Sequence, residues 1–271
     1  MSGEPKTSDP EPSVLRLPRG DLAYIDEGPR NAPALVLIHG VPGSGRDFRY
    51  LAPQLTDVLR VVRVDLPGFG GSAPVGDAVR SLSGRARVVL ELADHLGIPR
   101  FGVLGHSMGG GTALALASAQ PERVRLLVLV ASLALSPHRG LGMPVWLIRL
   151  LAAGLAVPGL RRAIVAQTRV SYRQRRFPGA DTLDAAAFAV QLRAIGAADF
   201  ALMRRAVQGP LPPTLLAYAR DDHIVETSVS EELARALPQA RIVAFDEGGH
   251  NIQKTRAVEL AAAIREAMAA A

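Results

Sequence analysis

Phe101-Gly102-Val103-Leu104-Gly105-His106-Ser107-Met108-Gly109-Gly110-Gly111-Thr112-Ala113-Leu114 passes from an apolar run to a string of helix-forming residues within a few positions. Residues 101–104 suit a short buried strand, and residues 110–117 suit a helix. Gly105 to Gly109 therefore lie where a strand turns sharply into a helix. A serine with glycine two positions before and two positions after fits a nucleophile elbow, G-x-S-x-G. The glycines are needed because side chains there would collide with the neighbouring strand and helix. The helix that follows aims its first amides at the place where negative charge would develop. A glycine-rich turn with an idle serine would show the same five letters. The strand before and the helix after favour the elbow.

Working outward, strands and helices alternate. Val14–Leu17 and Leu22–Asp26 read as an antiparallel edge hairpin around Pro18-Arg19-Gly20. Ala34-Leu35-Val36-Leu37-Ile38 is a continuous apolar run, as expected of a strand buried on both faces. A helix is expected from Asp47 to Leu55, a strand over Leu59–Val64 and a helix from Ser83 to Leu96, stopped by Gly97 and Pro99. Val124–Val130, Thr214–Ala219 and Ala240–Phe245 read as further strands. Helices are expected over Ser228–Leu237 and Thr255–Met268. This order predicts a mostly parallel sheet with helices on both faces. The alternation breaks over 133–209, which reads as an inserted helical cap. The core is then 14–132 and 210–271, behind a polar, proline-rich stretch over 1–13 that reads as a disordered leader and lacks the apolar centre of a secretory signal.

Composition narrows the chemistry. The 271 residues are 48% hydrophobic and 21% charged, enough for a sizeable globular core. The absence of cysteine excludes disulfides, thiolate metal sites and cysteine nucleophiles. The net charge of +6 comes almost wholly from arginines scattered among acids, a pattern that does not favour nucleic acid as a partner. The most apolar stretch, Val145–Val157, is interrupted by Arg149 and falls short of the ~20 residues of a membrane span. A cytoplasmic location is expected. Arg161, Arg162, Arg169, Arg173, Arg175 and Arg176 cluster in the cap. They read as a solvated helix face or as a device favouring an anionic substrate.

An acyl-transfer serine needs a base, an orienting acid and an oxyanion site. His250 follows the last strand in a glycine-flanked loop, and Asp222 follows the strand before it. Ser107, Asp222 and His250 then come in the chain order Ser, Asp, His. Asp221 is the other candidate for the acid. The oxyanion donors are expected to be the backbone amides of Met108 and Val41. His39, His95, His106, His138 and His223 have weaker claims as the base, and the six histidines form no metal-ligand spacing. Asp65 and His39 read as supports of the loops. The residues that face Ser107 from the cap would set specificity, with Trp146 a candidate among them.

Leu37-Ile38-His39-Gly40-Val41-Pro42-Gly43-Ser44, Asp65-Leu66-Pro67-Gly68-Phe69-Gly70-Gly71-Ser72, Gly105-His106-Ser107-Met108-Gly109-Gly110, Asp222-His223-Ile224-Val225 and Gly249-His250-Asn251 together resemble the α/β-hydrolase superfamily over nearly the whole chain after the leader. The resemblance implies an α/β-hydrolase fold with a helical cap, the triad and oxyanion amides above, and no cofactor. Ser107 stands where epoxide hydrolases and haloalkane dehalogenases carry aspartate. Ala219 and Glu226 depart from the usual Gly-x-x-Asp-x-Ile-Val-Pro acid loop, which is why Asp221 stays in view. The function expected first is hydrolysis of a carboxylic ester or related acyl compound, with a small-molecule acyl substrate. A C–C bond hydrolase or lyase with the same triad is the alternative, with a cap arginine on a substrate carboxylate. A non-catalytic ligand-binding member of the fold is the third.

Overall fold

The computed structural model describes residues 9–74, 76, 79–174 and 185–271. Eight strands form one sheet: β1 (Ser13–Leu15), β2 (Leu22–Glu27), β3 (Ala34–Ile38), β4 (Arg60–Val64), β5 (Phe101–His106), β6 (Val124–Val130), β7 (Thr214–Ala219) and β8 (Arg241–Phe245). Their spatial order is β1-β2-β4-β3-β5-β6-β7-β8. The pairs β1/β2 and β2/β4 are antiparallel and the rest parallel.

The uninterrupted apolar runs are explained by burial of both faces. Along β3, Ala34, Val36 and Ile38 join one core while Leu35 and Leu37 join another on the opposite face. In β6, Leu127 and Leu129 face the first core, and Leu126, Val128 and Val130 the second. Successive side chains alternate across a strand, so both sets must be apolar. The first face is covered by α1 (Leu82–His95), α2 (Met108–Ala119), α6 (Phe200–Ala206) and α7 (Thr227–Ala236), and the second chiefly by the C-terminal helix.

Two helices differ from expectation. Over Asp47–Leu55 the chain makes two short 3₁₀ turns, Gly45–Phe48 and Ala52–Gln54, instead of one α-helix. Pro53 has no amide to give an α-helical ladder and opens the second turn instead. Phe48, Leu51 and Leu55 are still buried. The C-terminal helix is broken at Arg256, whose backbone leaves the helical region (φ −126°, ψ 33°).

Between β6 and β7 lie α3 (Val145–Gly154), α4 (Pro158–Gln174), α5 (Ala185–Gly196) and α6. The first three share their own small core of Ile148, Ala152, Leu155, Val165, Phe188 and Leu192. This helical region therefore packs partly on itself and not only on the sheet. The chain ends with α8 (Ile252–Thr255) and α9 (Ala257–Ala270). Among the described residues no single helix is long and apolar enough to cross a membrane.

Candidate active site

Ser107 stands between β5 and α2 with φ 53° and ψ −120°, a left-handed backbone that a non-glycine residue adopts only under constraint. The constraint is visible. Its amide donates to the carbonyl of Val130 (3.0 Å), and its carbonyl accepts from Leu133 (2.8 Å) and Gly110 (3.0 Å). A Cβ on Gly105 would run into the backbone of Gly109, and one on Gly109 into the carbonyls of Ile38 and His39. The two glycines of the motif are thus required by close backbone approach.

The loops after β3 and β4 brace each other. Asp65 accepts from the amides of Gly45 (2.6 Å) and Gly71 (2.8 Å), while Ser72 donates its hydroxyl to the Asp65 carbonyl (2.6 Å). His39 Nε2 accepts from the Leu66 amide at 2.9 Å, which leaves Nδ1 to donate to the Gly40 carbonyl at 2.6 Å. Burial holds the His39 pKa below its ordinary value, in keeping with that neutral tautomer.

Asp222 and His250 meet directly: His250 Nδ1 lies 2.8 Å from Asp222 Oδ2. The other carboxylate oxygen accepts from the amides of Ile224 (2.8 Å) and Val225 (3.0 Å). Burial raises the Asp222 pKa. The hydrogen bond and charge of His250, together with those two amides, outweigh it and leave the carboxyl below the usual range. Asp221 does something else. Its Oδ1 accepts from the amide of Gly249 at 2.7 Å and so shapes the loop that carries His250.

Ser107, His250, Met108 and Val41 line one cavity of about 120 Å³. The Ser107 hydroxyl makes no hydrogen bond among the described residues, and such contacts often tighten only with substrate in place. Lining the same cavity are Ile195 and Leu141 from the helical region.

Four further side chains line this cavity; in the sequence His138 and His106 had only weak claims as the base, and Lys254 and Asp47 had none. His138 lines it from the helical region, with Nδ1 3.1 Å from the Ile224 carbonyl. Lys254 and Asp47 form an ion pair of 3.2 Å in its wall. Lys254 could have been noticed, being one of two lysines and four residues after His250. His106, beneath His250, has its ring centroid 4.9 Å from that of His250. Trp146, in contrast, lies away from the cavity, 66% exposed, because the buried face of α3 is the one carrying Ile148 and Ala152. Arg161, Arg162 and Arg173 are exposed, and Arg169 sits over the Phe188 ring at 5.3 Å. Arg175 and Arg176 lie outside the described residues. No arginine is among the described residues lining the Ser107 cavity. The described histidines and acids form no cluster able to hold a metal ion.

Comparison with known proteins agrees with this geometry at the level of fold and family. The family described as "alpha/beta hydrolase fold" matches residues 33–257. The magnesium-chelatase 30 kDa subunit of Rhodobacter capsulatus is 32% identical, over 88% of this chain and 87% of its own. The 2-hydroxy-6-oxononadienedioate/2-hydroxy-6-oxononatrienedioate hydrolase of Cupriavidus pinatubonensis is 29% identical over 81% of each chain. Among solved structures, the enol-lactonase of Burkholderia xenovorans LB400 superposes with a TM-score of 0.74 at 25% identity, covering 95% of this chain and 100% of its own.

Proposed function

This chain belongs to the α/β-hydrolase fold family, and on that premise we propose that it is a serine hydrolase of carboxylic esters or related acyl compounds. The observation that carries the reading is the Asp222–His250 bond of 2.8 Å in the loop bordering the cavity of Ser107. Asp222 holds the Nδ1 hydrogen of His250, so Nε2 is the nitrogen left to act as base. His250 takes the Ser107 hydroxyl proton as Oγ adds to the acyl carbon. The carbonyl electrons move to oxygen, and the amides of Val41 and Met108 receive that oxyanion. Collapse breaks the bond to the leaving group, which His250 protonates, and leaves an acyl-serine. Water, deprotonated by His250, attacks the acyl-serine and releases the acid. A cavity of about 120 Å³ is small beside drug-sized pockets, which favours a short acyl group.

The alternative is C–C bond hydrolysis, and the likeness to the Cupriavidus enzyme speaks for it. Its motive in the sequence was a cap arginine to hold a substrate carboxylate. The cation at this cavity is instead Lys254, already paired with Asp47, so the ester reading leads. The test is turnover of p-nitrophenyl acetate and butyrate, with labelling by a fluorophosphonate probe. Wild type should hydrolyse both esters and label at Ser107, and Ser107→Ala and His250→Ala should lose both properties. An unlabelled wild-type protein with no turnover across an ester and thioester panel would refute the reading and favour a ligand-binding role.

A further inference from the structure

Beside the Ser107 cavity opens a larger cleft, of about 790 Å³, between the first turn of α1 and helices α3 and α5. Its walls carry Arg80, Arg149 and Arg193, with Asp199 the one acid among the described lining residues. That acid is engaged, since its Oδ1 accepts from the Leu202 amide at 2.9 Å and caps α6. Arg149 spends its donors on backbone. Nε reaches the Gly196 carbonyl (2.8 Å) and one amino nitrogen the Ala198 carbonyl (3.0 Å), and no carboxylate meets it among the described residues. Arg193 forms no ion pair among the described residues, and its charge works against that of Arg80.

Arg85, one turn into α1, adds to the imbalance. It is 2% exposed, its Nη2 donates to the Ala194 carbonyl at 3.4 Å, and its Nη1 is buried with no partner. Burial first, and then the charge of Arg80, pull its pKa down to about 10. A buried guanidinium without a carboxylate is costly, and like charges gathered round one concavity add to that cost. Leu82 and Ser83 also line the cleft and belong to the positive end of a 14-residue helix. Among the described residues, the guanidinium groups of Arg149 and Arg193 meet no carboxylate at this cleft.

We propose that this cleft binds a multiply charged small anion, of the phosphoryl or polycarboxylate class, with Arg149 and Arg193 as its principal contacts. The planar guanidinium fork suits such oxyanions. The anion is either a free ligand or part of the substrate. The second source is open because α5 is a wall common to both cavities: Ile195 lines the Ser107 cavity, and Arg193 and Gly196 line the cleft.

Isothermal titration with pyrophosphate and with citrate tests the site. It is run on wild type and on Ser107→Ala, where no turnover intrudes, so a failed esterase reading leaves the result readable. Both proteins should bind at least one of the two anions, more weakly as salt rises. Arg193→Ala and Arg193→Gln should weaken binding about tenfold or more while leaving turnover of p-nitrophenyl acetate unchanged. Arg149→Lys keeps the charge and should weaken it less than Arg149→Ala. The source is then read from competition. Pyrophosphate that inhibits a phosphate-bearing ester but not p-nitrophenyl acetate marks a substrate-borne anion, and any other pattern marks a free ligand. Either pattern keeps the site. No saturable binding of either anion, or binding indifferent to Arg193→Ala and Arg193→Gln alike, overturns it.

Discussion

His106 donates its Nε2 hydrogen to the backbone carbonyl of His250, 2.9 Å away across 144 residues of sequence. The residue before the candidate nucleophile thus holds the loop of the candidate base. Its ring is buried beneath that of His250, and its Nδ1 has no partner. Burial, and next the charge of His250, pull its pKa from the ordinary 6.5 to about 3. A neutral His106 leaves the imidazolium of His250 without a competing cation beside it.

This makes stability depend on pH. Between about 3 and 6.5 the unfolded chain protonates His106 and the folded chain does not. The unfolded state then binds more protons, so stability rises with pH through that window and is lost as pH falls. Thermal unfolding between pH 7 and 4 should show the wild-type Tm falling, with a loss on the order of a few kcal/mol. His106→Asn can still donate a hydrogen bond but cannot titrate, and its slope should be shallower. Identical slopes for the two proteins would clear His106 of the effect.

Asp222→Asn and Asp221→Asn should separate the two acids. Asp222 receives His250 and two amides, whereas Asp221 receives no side chain but backbone amides of the His250 loop, those of Gly249 and Gly248. An amide in place of Asp222 favours the wrong His250 tautomer, and ester kcat should fall by about 10³–10⁴-fold. Asp221→Asn should cost far less activity. Comparable losses in steady-state kinetics would contradict the assignment. Because its carboxyl lies below the usual range, Asp222 stabilises the fold above its unfolded pKa of 3.8, and this is lost as pH falls through the lower folded value.

Gly109→Ala and Gly97→Ala offer a controlled comparison. A Cβ at Gly109 meets the carbonyls of β3 and the residue after it, while one at Gly97 (φ 65°) meets open space. Gly109→Ala should destabilise by about 3 kcal/mol through overpacking, and Gly97→Ala by about 1–2 kcal/mol from left-handed backbone alone. Urea melts of the two variants give the ranking, and equal midpoints would contradict the close approach at the elbow.

What could be read in advance follows the range of the interactions. Val124–Val130 and Thr214–Ala219 are strands with the bounds expected of them, because both faces are buried and each run is apolar but for half-buried Arg125 and Thr214 at one end. The 3₁₀ turns over 45–54 were missed because apolar spacing spoke for a helix and Pro53 for an interruption, and the proline prevailed. The pairing of Asp222 rather than Asp221 with His250 turns on loop geometry that spacing leaves open. The His106–His250 bond has no local signature at all. The arginines show the same limit. Those adjacent in sequence, Arg161 and Arg162, are exposed, while Arg149 and Arg193 share a cleft from different helices.

The sheet order gives β5 four strands on one side and three on the other. Amide hydrogen exchange spreads inward from such a sheet's margins, where the short β1 and the half-exposed β8 fray first. The central strand that leads into Ser107 should be among the last to exchange. The candidate base arrives on a loop that follows the frayable margin, whereas the serine hangs from a central strand. Partial opening would therefore withdraw His250 before it disturbs the elbow, and activity would vanish on warming while the central sheet still resists exchange.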